Sequence, residues 1–324
     1  MLILAIESSC DETAAAIVED GRKVLSNVVS SQIKIHEEFG GVVPEVAARE
    51  HLNSINLVID ECFKNAGLKR SCIDAFASTV GPGLVGCLLV GLNASKTLSL
   101  VHNKPYIGVN HLNAHVCANF IDTDLKPPFV CLLVSGGHTQ VIYVKDYDKQ
   151  EILASTIDDA VGEVYDKVAR LCSICYPGGV LLDKMAQEGD STRFNFPIAK
   201  VKEDEFSFSG LKTAVLREVK KFSKDELPKK DIAASFQKTI ADTLITKTKN
   251  IADKMNCKTI ALAGGVAANS ELRKRLKELE AQGYKTNAPQ MKYCTDNASM
   301  VASSAYFNPI KCDNPLMLEV FSRG

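Results

Sequence analysis

The chain has almost no net charge and no long apolar run. Its 38 Lys and Arg residues offset 39 Asp and Glu residues, leaving a formal charge of −1, so the composition gives no overall electrostatic footprint for nucleic acid. Any RNA binding must then use a local patch or a partner. The apolar run at residues 1–6 is too short for a signal peptide core, and residues 84–92 are too few to span a bilayer. The sequence therefore predicts no membrane segment.

Two common nucleotide-binding signatures are also missing. No G-x-x-x-x-G-K-[ST] loop occurs, and no G-x-G-x-x-G follows the first strand with the acidic partner that a Rossmann fold uses. The chain is therefore neither a P-loop NTPase nor a Rossmann dehydrogenase by these criteria. If it binds a nucleotide, it must do so through another kind of turn.

The cysteines indicate a reducing environment. Among the eleven there is one C-x-x-C pair, Cys172 and Cys175, and no second pair to complete a four-cysteine metal site. Most of the others stand in apolar runs, as small core residues do in a reducing compartment. We therefore expect a cytoplasmic protein, and a structural role for the pair.

The order of predicted elements is repeated along the chain. Residues 3–25 and 130–153 each read as two apolar strands joined by a turn. Residues 75–101 and 259–280 each read as a strand, a glycine turn and a helix. Because 324 residues exceed what one small core usually organises, two similar α/β lobes are expected. Ligands of such folds bind in a cleft, at strand C-termini and helix N-termini.

The glycine turns predict a nucleotide in that cleft. The turn at residues 135–139 (SGGHT) exposes successive backbone N–H groups that can cradle a phosphate. Gly264 and Gly265 form a second turn before a helix at the equivalent place of the other half. Either glycine pair alone is most often a plain turn. Together, and without the missing signatures, they point to the actin-like, Hsp70-like and sugar-kinase architecture.

Two of the six histidines are placed for chelation. His111 and His115 follow the strand-like residues 106–109, with Asn110 as the expected cap of a helix, so both lie on one helical face. This spacing is used by zinc and iron ligands, although capping or surface histidines are the alternative. The positive potential of a helix N-terminus is expected to keep both rings neutral. The repeat places Asp296 at the matching helix start, which predicts a two-histidine, one-carboxylate site with open coordination positions.

An acidic stripe lies between the turns, on a helix predicted at residues 158–169. Asp159, Glu163 and Asp166 share one face of that helix, which is either solvated or borders the cleft. In the second case Asp166 and Asp183 accept hydrogen bonds from ribose hydroxyls, and Gly179 allows close approach. The run at residues 206–212 (FSFSGLK) is either a strand edge or a loop wall.

Nine motifs that together span nearly the whole chain resemble one family: residues 7–13 (ESSCDET), 40–45 (GGVVPE), 81–83 (GPG), 111–115 (HLNAH), 134–139 (VSGGHT), 176–179 (YPGG), 206–213 (FSFSGLKT), 264–269 (GGVAAN) and 294–297 (CTDN). They resemble the TsaD family, the bacterial tRNA N6-adenosine threonylcarbamoyltransferases once labelled glycoprotein endopeptidases. Residues 171–174 (LCSI) depart from the family's Leu-Gly-Leu, which affects only the local geometry of a helix end.

The resemblance implies a fold and a reaction. The fold is α/β, a duplicated actin-like ATPase (Hsp70/sugar kinase-like) fold of two lobes with an interlobe cleft. We assign residues 1–110 and 296–324 to the first lobe, 111–128 to a crossing helix and linker, and 129–295 to the second. The reaction transfers the threonylcarbamoyl group of threonylcarbamoyl-adenylate to N6 of the adenosine next to the anticodon, position 37 of the tRNA. It forms t6A in tRNAs that read codons beginning with A.

The resemblance also implies site residues, cofactors and partners. One divalent metal ion, Fe²⁺ or Zn²⁺, is expected on His111, His115 and Asp296. The adenine nucleotide or threonylcarbamoyl-adenylate is expected on a larger set: Val134, Ser135, Gly136, Gly137, His138, Asp166, Gly179, Asp183 and Asn269. The implied partners are tRNA, the paralogue TsaB, the ATPase TsaE and a separate synthase that makes the adenylate.

The internal repeat also indicates which residues act on the adenosine amine. Asp11 and Glu12 lie on the turn of the first lobe that matches the 135–139 turn, so we expect them to position the adenosine amine or take its proton.

Two other enzyme classes share part of this pattern. A metal-dependent protease would use a histidine pair, but the chain lacks the Glu of H-E-x-x-H at residue 112. An ATPase or sugar kinase of the actin-like superfamily shares the architecture, but it has no need of the metal ligands. A non-catalytic scaffold is the third alternative, and the complete ligand set disfavours it.

Overall fold

The computed structural model describes residues 1–175, 177–223 and 225–322, and Tyr176 of the 176–179 motif lies outside them. The chain divides into two compact units. The first unit is Met1–Lys126 with Pro289–Gly324, and the second unit is Pro127–Ala288. These bounds differ from the predicted ones in two segments: residues 111–126 of the predicted crossing helix and linker (111–128), and residues 289–295 of the predicted second lobe (129–295). Both segments cluster with the first unit.

The strands, in chain order, are β1 (Leu2–Glu7), β2 (Glu12–Glu19), β3 (Lys23–Ser31), β4 (Ala75–Gly81), β5 (Tyr106–Asn110), β6 (Phe129–Val134), β7 (Thr139–Asp146), β8 (Lys149–Thr156), β9 (Glu205–Phe206), β10 (Thr259–Ala263) and β11 (Lys285–Asn287). The helices, in chain order, are α1 (Ile33–Glu37), α2 (Pro44–Ala66), α3 (Val85–His102), α4 (His111–Cys117), α5 (Val161–Leu171), α6 (Gly178–Ala186), α7 (Ser209–Val219), α8 (Lys229–Lys254), α9 (Ser270–Glu278) and α10 (Ala298–Phe307).

The two sheets repeat one topology. In the first unit the order is β3-β2-β1-β4-β5, with β1, β2 and β3 antiparallel and with β4 and β5 parallel to β1. In the second unit the order β8-β7-β6-β10-β11 has the same directions, and β9 adds an edge strand beside β8. The predicted duplication of an α/β unit is therefore confirmed.

The sheet of the first unit is buried on both faces, which explains the unbroken apolar run of β1. Because side chains alternate across a strand, Ile3 and Ala5 pack in the cluster that contains α10, whereas Leu4 and Ile6 pack with residues of α2. Near-continuous apolar strands are typical of sheets covered on both faces. The small residues that face α10 let this helix lie close to the sheet. Asn297, the residue before α10, therefore lies at the end of the sheet.

Helix α3 is long and apolar enough to cross a membrane by length and composition alone. Core helices of globular units pass the same test. In the first unit α3 packs along β4 and α2, and Cys87, Leu88 and Leu92 are buried. We therefore describe α3 as a helix of this unit's core.

The predicted helix at residues 158–169 begins later than expected, at Val161. Asp158 and Asp159 precede it because their carboxylates are used elsewhere. Asp158 accepts hydrogen bonds from the backbone N–H of Phe208 at 2.8 Å and from the hydroxyls of Ser207 and Ser209 at 2.5 and 2.9 Å. The acidic stripe therefore contains Glu163 and Asp166 but not Asp159.

These bonds also explain the 206–212 run, which contains the end of β9 and the start of α7. Asp158 supplies the negative charge that a helix N-terminus favours, from a distant part of the chain. Partial burial alone would raise the pKa of Asp158, but the hydrogen bonds from Ser207, Phe208 and Ser209 hold that pKa below its ordinary value.

We predict that Asp158→Asn lowers the free energy of unfolding by about 1 kcal/mol at neutral pH, since a capping carboxylate contributes on this scale and solvent screens this exposed one. A carboxyl group with a lowered pKa stabilises the fold above its unfolded-state pKa. Its contribution is lost as the pH falls through the folded-state value. Urea unfolding of both proteins at pH 7 and in the acid range measures the difference. Glu151→Gln, an exposed carboxylate on β8, is the control, and an unchanged stability of Asp158→Asn at pH 7 would contradict the prediction.

Candidate metal and nucleotide sites

Helix α4 starts at the point where β5 ends, because Asn110 caps it. The side chain of Asn110 accepts hydrogen bonds from the N–H groups of Leu112 and Asn113 at 2.9 and 3.2 Å, as predicted. His111 and His115 therefore lie one turn apart on one face. Their ring centroids are 4.7 Å apart, with an interplanar angle of 79°. The two imidazoles face the same small space.

Asp296 joins them from the start of α10. Asn297 caps α10 by accepting from the N–H of Met300 at 3.2 Å, which leaves the preceding carboxylate free to point away from the helix. Oδ1 of Asp296 lies 3.1 Å from Nε2 of His115 and 3.7 Å from Nε2 of His111. The structure thus brings together the three residues predicted as metal ligands.

This donor set fits a divalent transition metal. One candidate ligand atom from each residue lies within 4.8 Å of the others. Two imidazole nitrogens and one carboxylate oxygen match zinc sites and the facial triad of ferrous iron, both of which keep positions open for substrate. Among the described residues, no other group of three or more His, Cys, Asp or Glu side chains has this arrangement.

The second nitrogen of His111 has partners that the sequence did not reveal. Its Nδ1 lies 3.2 Å from Oγ of Ser9 and 3.4 Å from Oε2 of Glu7. Burial alone would lower the pKa of His111, but the carboxylates of Asp296 and Glu7 raise it to about 9. The expectation that the helix N-terminus keeps this ring neutral is therefore wrong for His111. Two carboxylates outweigh the helix potential, and Glu7 had been given no role.

Asp11 lies in the turn before β2, and Glu12 is the first residue of that strand. Burial, with the nearby carboxylates of Asp296 and Asp11, raises the pKa of Glu12 to about 10. Glu12 is thus close enough to Asp296 to interact with it, and its carboxyl group is protonated at neutral pH. His51, which the sequence analysis missed, holds this turn: its Nδ1 is 2.7 Å from Oγ1 of Thr13 and its Nε2 is 3.0 Å from the carbonyl oxygen of Cys10.

In the second unit, the predicted 135–139 turn joins β6 and β7. The N–H of Ser135 donates to the carbonyl of His138 at 2.9 Å, and the N–H of His138 donates to Oγ of Ser135 at 3.1 Å. These bonds close the turn from within. Gly136 and Gly137 at its tip are exposed, with open space where their side chains would be. Their backbone groups can therefore meet a ligand directly.

Two glycines allow this turn to pack closely on its neighbours. The N–H of Gly162, in the first turn of α5, donates to the carbonyl of Ser135 at 3.1 Å. A Cβ at Gly162 would lie 2.6 Å from that carbonyl oxygen and 2.8 Å from Cα of Gly136. Gly264, at φ +86°, lies against the backbone of Val134 at the end of β6. The 134–138 segment is thus held by a helix start on one side and by the second glycine turn on the other. Both glycine turns lie in the second unit, so the expectation that they stand at equivalent places of the two halves is wrong.

The other predicted nucleotide residues form two local groups. Asp166 accepts from the N–H of Gly178 at 3.1 Å at the start of α6, and burial raises the pKa of Asp166. Asp183 accepts from Nδ2 of Asn269 at 3.3 Å and from Nε2 of Gln237 at 2.8 Å. Gln237, which the sequence analysis missed, also accepts from Asn269 at 3.0 Å. Among the described residues, no hydrogen bond joins Asp166 to Asp183.

All eleven cysteines are free, and each lies among the described residues. Cys172 is buried and Cys175 is exposed, so the C-x-x-C pair is not a disulfide. Burial raises the pKa of Cys172 to about 11, which is opposite to the low pKa of a redox-active thiol.

Residues 23–303 match the family model described as TsaD, tRNA N6-adenosine threonylcarbamoyltransferase. Curated relatives carry the same name. The one from Thermosipho africanus is 53% identical over 310 residues, which cover 94% of each chain. The one from Clostridium perfringens is 53% identical over 316 residues, covering 96% of this chain and 93% of the relative.

Solved structures with low sequence identity share the fold. Full-length HypF in its phosphate- and nucleotide-bound form has a TM-score of 0.63 at 14% identity, covering 94% of this chain and 46% of HypF. Component A of the (R)-2-hydroxyglutaryl-CoA dehydratase of Acidaminococcus fermentans has a TM-score of 0.53 at 16% identity, covering 94% and 97% of the two chains. With the repeated sheet topology, these likenesses identify the duplicated actin-like ATPase fold that was predicted.

Proposed function

The chain belongs to the TsaD family and is a tRNA N6-adenosine threonylcarbamoyltransferase that forms t6A, and we propose which residues of its two units contribute to the transfer. The observation that carries the proposal is the convergence of His111, His115 and Asp296 in the first unit. We assign the metal to these residues and the adenylate to the glycine turns and polar groups of the second unit. The family name of the relatives favours neither the protease nor the kinase alternative.

We propose that one divalent ion, Fe²⁺ or Zn²⁺, is held by Nε2 of His111, Nε2 of His115 and Oδ1 of Asp296. When bound, such an ion supplies Lewis acidity and a template for the oxygens of the threonylcarbamoyl group. The ligands come from the first two turns of α4 and from the residue before the cap of α10, and both helix starts are fixed by capping hydrogen bonds. Rigid elements of this kind keep ligands in a productive geometry.

The exocyclic amine of adenine is a poor nucleophile, because its lone pair is delocalised into the ring. The acyl group must therefore be activated, as it is in a mixed anhydride with AMP. We assign the phosphate to the exposed backbone N–H groups of Gly136 and Gly137, which stabilise negative charge on the leaving AMP. Asp166, Asp183 and Asn269 are assigned to the nucleoside.

Asp11 and Glu12 are our candidates for handling the amine. Since Glu12 is protonated at neutral pH, it is suited to donate a hydrogen bond rather than to accept a proton. Asp11 is then the acceptor for the proton of the attacking amine. Asp11→Asn is expected to slow transfer while leaving the metal content unchanged.

Reconstitution tests the function directly. Purified protein with its partners, Fe²⁺ or Zn²⁺, threonylcarbamoyl-adenylate and unmodified tRNA is expected to yield t6A, measured by mass spectrometry of the nucleosides. If the complete mixture formed no t6A although the protein had bound its metal, the proposed function would be contradicted. Casein hydrolysis that a chelator blocks would instead revive the protease alternative.

The raised pKa of His111 predicts how metal affinity varies with pH. Below about pH 9 the ring carries a proton that a metal must displace, so the apparent affinity is expected to rise about tenfold per pH unit from pH 7 to pH 9 and then to level. Competition with a chelating indicator measures it. A ring with an ordinary histidine pKa near 6.5 would give an affinity that is flat above pH 7, and that result would contradict the prediction.

For the partners, we propose that the paralogue TsaB docks on a groove between α2 and α3. This groove, of about 580 Å³, has an apolar floor that includes Ile55 and Leu98. Leu52 and Leu89 line it while 63% and 41% exposed. Apolar side chains left in solvent at a groove mark an interaction site, and a partner of the same fold would present a similar helix pair. We also propose that TsaB and the ATPase TsaE share tRNA binding, because a net charge of −1 gives this chain no overall electrostatic footprint for nucleic acid. We place the assembly in the cytoplasm, in keeping with the free cysteines.

The double variant Leu52→Glu, Leu89→Glu is expected to weaken TsaB binding about 30-fold or more, since buried apolar anchors contribute about 2 kcal/mol. Its own stability should be little changed because both side chains are exposed. Ile152→Glu, an exposed apolar residue on β8 of the second unit, is the control. Calorimetric titration with TsaB measures the affinity, and an unchanged value would place the interface elsewhere.

A further inference from the structure

We propose that Glu7 is a positioning residue for the metal centre: it holds the proton on Nδ1 of His111, so that Nε2 is the nitrogen offered to the ion. The inference rests on the proposed metal function of His111. It concerns a residue whose carboxylate is not itself among the three converging ligands.

Glu7 is a fully buried carboxylate that accepts two hydrogen bonds and lies beside His111. Its side chain is 0% exposed at the end of β1. The hydroxyl of Thr79 donates to Oε2 at 2.5 Å, and the N–H of Ser9 donates to Oε1 at 2.6 Å. Nδ1 of His111 is 3.4 Å from Oε2. Since an ionised carboxylate can only accept, this side of His111 is favoured as N–H.

Ser9 is the second group beside Nδ1 of His111, but it does not determine which nitrogen of that ring carries the proton. Its Oγ lies 3.2 Å from Nδ1 and can either donate or accept. In the tautomer with a bare Nδ1, the lone pairs of that nitrogen and of the Glu7 carboxylate would face each other. Glu7 therefore selects the N–H form, and Ser9 can adapt to it by accepting from the same proton.

The two histidine ligands are consequently held in different ways. Nδ1 of His115 is buried and has no hydrogen-bond partner among the described residues, so that ring is held by packing and by the contact of its Nε2 with Asp296 at 3.1 Å. His111 is less enclosed, with a side chain 13% exposed, and relies on hydrogen bonds for its orientation. Carboxylates that accept from the far nitrogen of a metal-bound histidine fix its tautomer, and their loss costs about 10–100-fold in metal affinity.

The register of the first sheet places Glu7 beside His111. β1 and β4 are parallel, with Ile6 paired to Ser78, so the next residues of each strand, Glu7 and Thr79, lie side by side at the same end. β5 lies beside β4 in the same direction and ends at Asn110, directly before His111. Three strand ends thus place the carboxylate, its hydroxyl partner and the imidazole together.

Zinc affinity of the purified protein, without tRNA or adenylate, tests the proposal. Glu7→Gln is expected to bind Zn²⁺ about 10–100-fold more weakly than wild type, measured by competition with a chelating indicator at a pH above the raised pKa of His111. Glu7→Asp, which keeps the charge, should recover part of the loss. Ser78→Ala is the matched control on β4, because its hydroxyl contacts Tyr106 at 2.9 Å and not the metal ligands. Unchanged affinity in Glu7→Gln would overturn the proposal.

Nitrogen NMR of the wild-type protein gives a readout that does not depend on how Glu7→Gln folds. In the Zn²⁺-loaded protein, His111 is expected to carry its proton on Nδ1, with Nε2 shifted by the metal. Coordination through Nδ1 would refute the role of Glu7. Failure of the underlying metal function looks different, since Zn²⁺ affinity would then also be unchanged in His111→Ala.

Discussion

Asp296→Asn is expected to bind a divalent metal at least about 100-fold more weakly than wild type and to lose t6A formation to the same degree. Oδ1 of Asp296 is the oxygen that faces Nε2 of both histidines, at 3.1 and 3.7 Å. A neutral amide removes the charge that attracts the cation, and it is a weak ligand. Removing a ligand should cost more than the 10–100-fold lost with an outer partner. Metal analysis of the purified protein and mass spectrometry of tRNA nucleosides measure the two effects.

A second carboxylate of the first unit provides the control for this prediction. Asp122 is hydrogen-bonded to Tyr293 at 3.3 Å and is not among the candidate ligands. Asp122→Asn should keep its metal and its activity. An Asp296→Asn protein that retains a full complement of metal would show that the ion is held elsewhere, and the proposed centre would have to be abandoned.

Gly162→Ala is expected to weaken adenylate binding about 10–100-fold without changing metal content. The new methyl group would lie 2.6 Å from the carbonyl oxygen of Ser135 and 2.8 Å from Cα of Gly136, so the 134–138 turn must move. Both contacts are with backbone, which cannot rotate away as a flexible side chain can. The expected loss corresponds to about 1.4–2.8 kcal/mol of binding free energy.

Gly210→Ala is the matched control for this turn. Gly210 also lies in the first turn of a helix, α7, but a Cβ there would meet no atom within 4 Å. Calorimetric titration with AMP or a stable analogue of the adenylate gives the affinity. If Gly162→Ala and Gly210→Ala bound equally well, the turn would not be the phosphate site. Retained metal in both variants would show that the two sites can be damaged separately.

Local sequence signals predicted the parts of the site that depend on neighbouring residues. The Asn110 cap, the i, i+4 spacing of His111 and His115, and the turn between β6 and β7 are set within a few residues, and all three are confirmed. Asp296 is distant in the chain, yet the internal repeat identified it because it occupies the matching helix start. The internal repeat thus allowed a long-range contact to be predicted by comparing two local sequence patterns.

Contacts that depend on sheet register or on packing between helices were not predictable in this way. Glu7 reaches His111 only because β1, β4 and β5 are parallel and end together. Gln237 meets Asp183 through the packing of α6 on α8. No pattern within either segment encodes these pairings. The late start of α5 has the same origin, since Asp158 is drawn to the N-terminus of α7, fifty residues away.

The composition of the first unit has a consequence for biosynthesis. Its sheet is complete once β5 has left the ribosome, but α10 and Asp296 arrive only after the whole second unit has been made. Until then the small-residue face of β1 and β2 has no covering helix, and the two imidazoles have no carboxylate from that side. The proposed metal centre is therefore among the last parts of the molecule to form, and nascent or prematurely terminated chains lack a complete set of the candidate ligands.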